Sequence, residues 1–207
     1  MEQGVGQDEK EMVMHFTVII VHYNTPRLLE RALKSIPRNI PILVVENGDS
    51  HRLLLKKEDR VVFPPTKMFH GDGLHFGIQH IDTPYFVTMD SDAYIKDRKI
   101  FDIMLRSFDP NTYGVGYVTK VDKNGLDDWH QSSNSPYFPY LHPFFSMIHT
   151  EKYHKCKPFV HHGAPAIRAM QSLKNYTLTN LGLMQKYVKH DGRGTRNITT
   201  EYMKGWE

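Results

Sequence analysis

"HFTVIIVHYNTPRLLERALKSI", residues 15–36, holds one strand and one helix and decides what kind of sheet this chain builds. Residues 15–23 are a nearly continuous β-branched run with no polar alternation. Such a run suits a strand buried on both faces, as in a parallel sheet, and does not suit a strand with one wet face. The pattern then turns helical. Thr25 fits an N-cap, and Pro26 fits the first helical position, where its missing N–H is no loss. Leu28, Leu29, Ala32, Leu33 and Ile36 fall on one helical face.

Working outward, the same plan repeats. "IPILVVENGDS" (40–50) reads as a strand over Ile42–Val45 and a polar turn. "RVVFPP" (60–65) is a short third strand, "GDGLHFGIQHI" (71–81) a glycine-bounded turn into a helix, and "PYFVTMD" (84–90) a fourth strand. Four strands alternating with helical segments over the first 95 residues predict an α/β fold with a mostly parallel central sheet flanked by helices. The second half differs. Residues 99–108 read as an amphipathic helix, 113–121 and 144–149 as strands, 165–175 as a helix opened by proline, and 183–197 as a strand running into a Gly/Arg turn. The stretch 122–143 reads as a long polar and aromatic loop, a length that is usually functional or disordered.

Composition narrows the function classes. A chain of 207 residues with 40% hydrophobic and 24% charged residues is an ordinary globular domain. A net charge of +3 is too small to argue for nucleic acid and suits an anionic small ligand. The single cysteine, Cys156, excludes an intrachain disulfide and a thiolate zinc cluster and points to a reducing compartment. Residues 1–14 lack the basic and apolar regions of a signal peptide and read as a frayed tail. No apolar stretch reaches membrane-spanning length, so a soluble, cytoplasmic domain over 15–207 is expected, with 15–95 as one half and 96–207 as the other.

In open α/β sheets ligands bind beyond the carboxyl ends of the strands. The polar residues His22-Tyr23-Asn24, Glu46-Asn47 and Asp90-Ser91-Asp92 follow three separate strands, so topology predicts one site from three turns. A D-x-D triplet is weak alone, and with fourteen aspartates in the chain about one chance match is expected. Asp90 and Asp92 either cap a turn or hold a cation.

The segments "FTVIIVHYNTPRLLERALKSI", "ILVVENGDS" and "GLHFGIQHIDTPYFVTMDSDAYI", in that order over residues 16–95, resemble the nucleotide-binding half of the GT-A glycosyltransferases. The likeness is to the large inverting glycosyltransferase family 2, and "YVKHDGRGTR" resembles that family's late histidine-glycine segment. The resemblance implies a Rossmann-like GT-A domain with a short antiparallel acceptor-side portion. It also implies a nucleoside-diphosphate sugar donor, UDP-sugar above others, a glycan or other hydroxyl acceptor, and Mn²⁺ or Mg²⁺. Carried over residue by residue, it makes Asp90, Asp92 and His190 the metal group, with Asp90 also reaching the nucleotide sugar. Tyr23, Glu46, Asp72, Arg193 and Arg196 become further nucleotide-sugar contacts. Asp72 equally fits a helix cap, and His75 stands where the family usually has asparagine.

The family's usual acidic base is missing. "FVHHGAPAIRAM" occupies its place without an acid, leaving His162 as one candidate base and Asp128 of "GLDDWH" as the other. Asp191 is a third and weaker choice. Trp129 and His142 are placed on the acceptor side, Trp129 because an indole face stacks on a sugar ring. A sugar nucleotidyltransferase is the rival enzyme, and it usually has a glycine-rich basic loop where this chain has "HYNTPR". A nucleotide-sugar-binding module without a base is the non-catalytic alternative. The chain also fits the catalytic module of a longer protein.

Overall fold

The computed structural model describes residues 15–48, 59–125, 137–161, 163–182 and 184–191. A seven-stranded sheet with order β3-β2-β1-β4-β7-β6-β8 forms the centre. Strand β1 (Phe16–His22) pairs in parallel with β2 (Ile42–Glu46) on one side and β4 (Tyr85–Met89) on the other. Strand β3 (Arg60–Val62) extends the parallel edge. Beyond β4 the direction reverses: β7 (Phe138–His149) is antiparallel to both β4 and β6 (Thr112–Val121). Strand β8 (Thr177–Asn180) closes the far edge parallel to β6. A second, two-stranded antiparallel sheet joins β5 (Ala93–Ile95) to β9 (Val188–His190).

The unbroken apolar runs of the parallel strands are explained by two cores, one on each face. Phe16, Val18 and Ile20 of β1 enter one cluster with helices α1 (Pro26–Ser35) and α3 (Lys99–Arg106). Ile19 and Val21 enter the other with α2 (His70–Ile78) and α5 (Ile167–Ser172). Every β1 side chain is buried, as are those of β2. Removing both faces from water is the main driving force for this arrangement.

Several elements differ from the sequence-based expectation, each for a physical reason. Helix α2 begins at His70 and carries the glycines inside it. Intrinsic propensity disfavours that, but a Cβ on Gly77 would lie 2.8 Å from both Ile19 Cγ2 and Val45 Cγ2. Close helix–sheet packing overrides propensity here. Thr25 is the N-cap of α1 through its carbonyl, which takes the N–H of Leu28 and Leu29, and its hydroxyl makes no cap hydrogen bond. Pro165 lies in a turn two residues before α5. Within the stretch 183–197, expected as a strand running into a Gly/Arg turn, the described residues form a short helix α6 (Met184–Tyr187) followed by β9. A further short helix, α4 (Thr150–His154), follows β7.

Strand β7 is also six residues longer at its start than the run 144–149, and takes in Pro139 and Pro143. Its pairing with β6 shifts between Gly116↔Ser146 and Val118↔Leu141, so residues 142–145 bulge against Tyr117. Pro143 sits in that irregularity, where no ladder N–H is required. Bulges re-aim side chains, and this one lies beside the carboxyl end of β4, where Asp90 N–H donates to Phe144 O at 2.9 Å.

Candidate active site

Because β1, β2 and β4 are parallel, the turns after them share one edge of the sheet, as topology predicted. His22 is in register with Glu46, and Asn47 N–H donates to His22 O at 2.9 Å. After Met89 the chain makes a tight turn, closed by Ala93 N–H donating to Asp90 O at 3.0 Å. That turn carries Asp90-Ser91-Asp92 and delivers the chain into β5. Pairing of Ala93 with His190 across the small sheet, with Asp191 N–H donating to Asp92 O at 3.2 Å, brings the late histidine to the two acids.

The resulting cluster is tight. His190 Nε2 lies 3.1 Å from Asp92 Oδ1 and 3.3 Å from Asp90 Oδ2. One ligand atom from each of the three residues lies within 4.8 Å of the others. The His190 ring stacks on Phe144, with centroids 4.9 Å apart and planes 10° from parallel, which fixes its orientation. His70, at the start of α2, approaches from the other side, its Nε2 3.4 Å from Asp90 Oδ1. That oxygen is buried and accepts no hydrogen bond among the described residues. A buried carboxylate oxygen without a hydrogen bond is unfavourable in a closed protein. It suits a site built to receive a cation, and two carboxylates with one imidazole form a donor set that fits Mn²⁺.

The electrostatics agree. Burial works against ionisation of Asp90, but its bond to His190 and the nearby His70, His190 and His142 hold its carboxyl down at about 2. Burial likewise works against the His190 imidazolium, yet the hydrogen bonds and charges of Asp90 and Asp92 raise it to about 10. His190 therefore gives the metal-free fold a stabilisation that is complete below its unfolded value near 6.5 and declines as pH rises through about 10. In EDTA, the unfolding midpoint of the wild type is expected to fall between pH 6.5 and 10. His190→Gln should flatten that limb, and an equally steep decline in the variant would rule out His190 as its source.

With that geometry in place, comparison with known proteins becomes specific. The model of the family described as Glycosyl transferase family 2 matches residues 17–174, well over half of the chain. The chain belongs to glycosyltransferase family 2. No curated protein sequence matches it significantly. Among solved structures it is similar to the mannosyltransferase PcManGT from Pyrobaculum calidifontis in complex with GDP-Man and Mn²⁺ (TM-score 0.59, 16% identity, 80% of this chain and 54% of that one). It is similar too to residues 1–349 of S. aureus TarS in complex with UDP-GlcNAc (TM-score 0.56, 15% identity, 88% and 61%). A third is GalNAc-T7 with UDP, GalNAc and Mn²⁺ (TM-score 0.55, 12% identity, 79% and 41%). These likenesses establish the GT-A fold, and the chain spans about half the length of such structures.

The other candidate residues named from the sequence are distributed as follows. Tyr23 lies on the same edge, half-buried, with Lys67 Nζ 5.8 Å from its ring centre. His142 lies near the cluster, its ring 6.5 Å from that of His190, and its Nδ1 accepts the Phe144 N–H at 3.2 Å. Asp72 in the first turn of α2 accepts the His161 N–H at 3.2 Å and so serves as a tie between two segments. Glu46 is buried, with both carboxylate oxygens used inside the protein. Asp191 is paired with Arg31 and with Lys189, and the Arg31 bond holds its carboxyl below the usual range, which makes it a poor base. His162, Asp128, Trp129, Arg193 and Arg196 lie outside the described residues, as does the 1–14 tail.

Two features were missed from sequence. His70 immediately precedes the GDG stretch, and helix start plus imidazole was a usable signal. The stacking role of Phe144 had no signal, because it depends on the bulge in β7. No described helix is long and apolar enough to cross a membrane.

Proposed function

We propose that this family 2 chain is a metal-dependent glycosyltransferase that moves a sugar from a nucleoside-diphosphate sugar, a UDP-sugar above others, to a hydroxyl of a glycan or other acceptor, with inversion. The observation that carries this is the Asp90–Asp92–His190 cluster, with a buried Asp90 oxygen that accepts no hydrogen bond among the described residues, at the carboxyl edge of the parallel strands. In the reaction the bond between the anomeric carbon and the diphosphate oxygen breaks, the acceptor oxygen bonds to that carbon, and the acceptor's proton passes to a base. A bound Mn²⁺ or Mg²⁺ would act as a Lewis acid for the charge that develops on the leaving diphosphate. Asp90, Asp92 and His190 would hold it. Tyr23 would stack near the base, and the basic segment with Arg193 and Arg196 would meet the diphosphate.

A cavity of about 510 Å³ lies beside His190, lined by Tyr117, His142, Phe144, Met184 and Val188 among others. Its aromatic walls and polar rim suit the acceptor side. For the base, His162 is favoured over Asp128. Its neighbour His161 is tied to the first turn of α2, where Gly71 N–H donates to His161 O at 2.8 Å, and the next residue back, His70, faces Asp90. The lone cysteine supports action in a reducing compartment.

The test is calorimetry with UDP, GDP and their sugars, with Mn²⁺ and with EDTA, followed by donor hydrolysis assays. Micromolar binding that needs Mn²⁺ is expected, with slow hydrolysis that His162→Ala abolishes. Equal binding in EDTA would overturn the metal-dependent reading, and tight binding without any turnover would leave a binding module.

A further inference from the structure

Glu46 fills the position at which the family resemblance implies a contact with base or ribose, but its surroundings describe a different role. It is 3% exposed, and His22 is completely buried beside it. Glu46 Oε1 accepts the Gly48 N–H at 2.9 Å, and Oε2 meets His22 Nδ1 at 2.8 Å. On the far side of the imidazole, Thr25 N–H donates to His22 Nε2 at 3.0 Å. Nε2 therefore carries the lone pair and Nδ1 the proton, which it donates to Glu46. Thr25 Oγ1 then reaches Ser91 Oγ at 3.4 Å, both residues being buried. The path runs from the turn after β2, through the end of β1, to the residue between Asp90 and Asp92. It also explains why the Thr25 hydroxyl makes no helix-cap bond. The carboxylate of glutamate, one methylene longer than that of aspartate, spans the distance from β2 to the β1 imidazole.

We propose that Glu46 and His22 are positioning residues: through this buried relay they set the turn that carries Asp90 and Asp92, and they do not touch the nucleotide. The inference rests on the donor site proposed above and adds two residues to its support. Glu46 and His22 each have one set of donor and acceptor roles open to them, so this part of the relay is intolerant of an amide. With Gln at 46, the carbonyl can face His22 only if the NH₂ meets the Gly48 N–H, and turning the amide sets NH₂ against the protonated Nδ1. Moving the His22 proton to Nε2 transfers the conflict to the Thr25 N–H. Satisfied buried networks fix one geometry, and a half-satisfied one releases it.

The experiment compares UDP with inorganic pyrophosphate, each titrated in Mn²⁺, at a temperature well below unfolding. Glu46→Gln is expected to weaken both by the same factor, on the order of 10-fold, as for other residues that orient metal ligands. Thr25→Val, which leaves the buried Glu46–His22 pair intact and removes only the last hydroxyl, should weaken both as well, and Thr25→Ser should restore wild-type affinity. If Glu46→Gln weakens UDP but leaves pyrophosphate unchanged, Glu46 reads the nucleoside and the relay is wrong. Unchanged affinity for both also overturns it. Should Glu46→Gln fail to fold, the Thr25 pair decides by the same comparison. A wild type that binds Mn²⁺ but neither phosphate ligand defeats the donor site, and the relay is then judged on Mn²⁺ affinity alone by electron paramagnetic resonance: a drop in Glu46→Gln upholds it, and no drop rejects it.

Discussion

Asp92→Asn is expected to lower Mn²⁺-dependent UDP affinity by roughly 100-fold or more, beyond the 10–100-fold range of residues that only support metal ligands. The substitution keeps the shape of the side chain and removes its charge. Asp92 is the more buried of the two acids, and its Oδ1, at 3.1 Å, lies nearer His190 Nε2 than Asp90 Oδ2 does, at 3.3 Å. The fold should survive, because the contacts that close β9 onto β5 use the backbone of Asp92. Its carbonyl takes the Asp191 N–H at 3.2 Å and the Arg31 guanidinium at 3.5 Å. Calorimetry in Mn²⁺ and circular dichroism on the same sample separate the two effects. Native spectra with unchanged affinity would remove Asp92 from the metal site and with it the main support for the proposed activity.

How much of this site could be read in the amino-acid sequence depends on the range over which each feature is decided. The strand runs 16–22, 42–46 and 85–89 were legible because burial on both faces leaves a continuous apolar signature, and their shared direction follows from the crossover helices between them. Given parallel strands, it followed that Asp90 and Asp92 share an edge with Tyr23. His190 was reached only through resemblance, since no local pattern brings a strand about a hundred residues away onto β5. The Glu46–His22 pair was illegible for another reason. Residues at strand ends look alike whether they face a ligand or each other, and only the register His22↔Glu46 distinguishes the two. The bulge of β7 was hidden by two prolines, which argue against a strand unless the ladder is broken where one of them sits.

Gly71→Ala is the substitution outside the metal ligands expected to do most damage, because it acts on the fold and the site together. A Cβ at Gly71 would lie 2.5 Å from Val160 O, 2.6 Å from Val160 C and 2.7 Å from Val160 N. These are backbone atoms, so no side-chain rotation relieves the overlap, and α2 must move away from the 160–161 segment. Overpacking of this kind typically costs about 1–3 kcal/mol. For a chain of this size that is a fall of roughly 5 °C in Tm. The displacement also passes through the site. The Gly71 N–H bond to His161 O and the Asp72 bond to His161 N–H hold the first turn of α2 in place. His70, the residue before, is the group that faces Asp90 Oδ1. Thermal melts in EDTA and in Mn²⁺ divide the two consequences. A loss confined to the fold lowers both melts equally, whereas a displaced His70 also shrinks the gain that Mn²⁺ confers. Gly163→Ala is the control: that glycine has a φ of 89° and nothing within 4 Å of its would-be Cβ, so it bears backbone strain without steric overlap. A Gly71→Ala melt no lower than that of Gly163→Ala would mean that the close approach to Val160 does not set the position of α2.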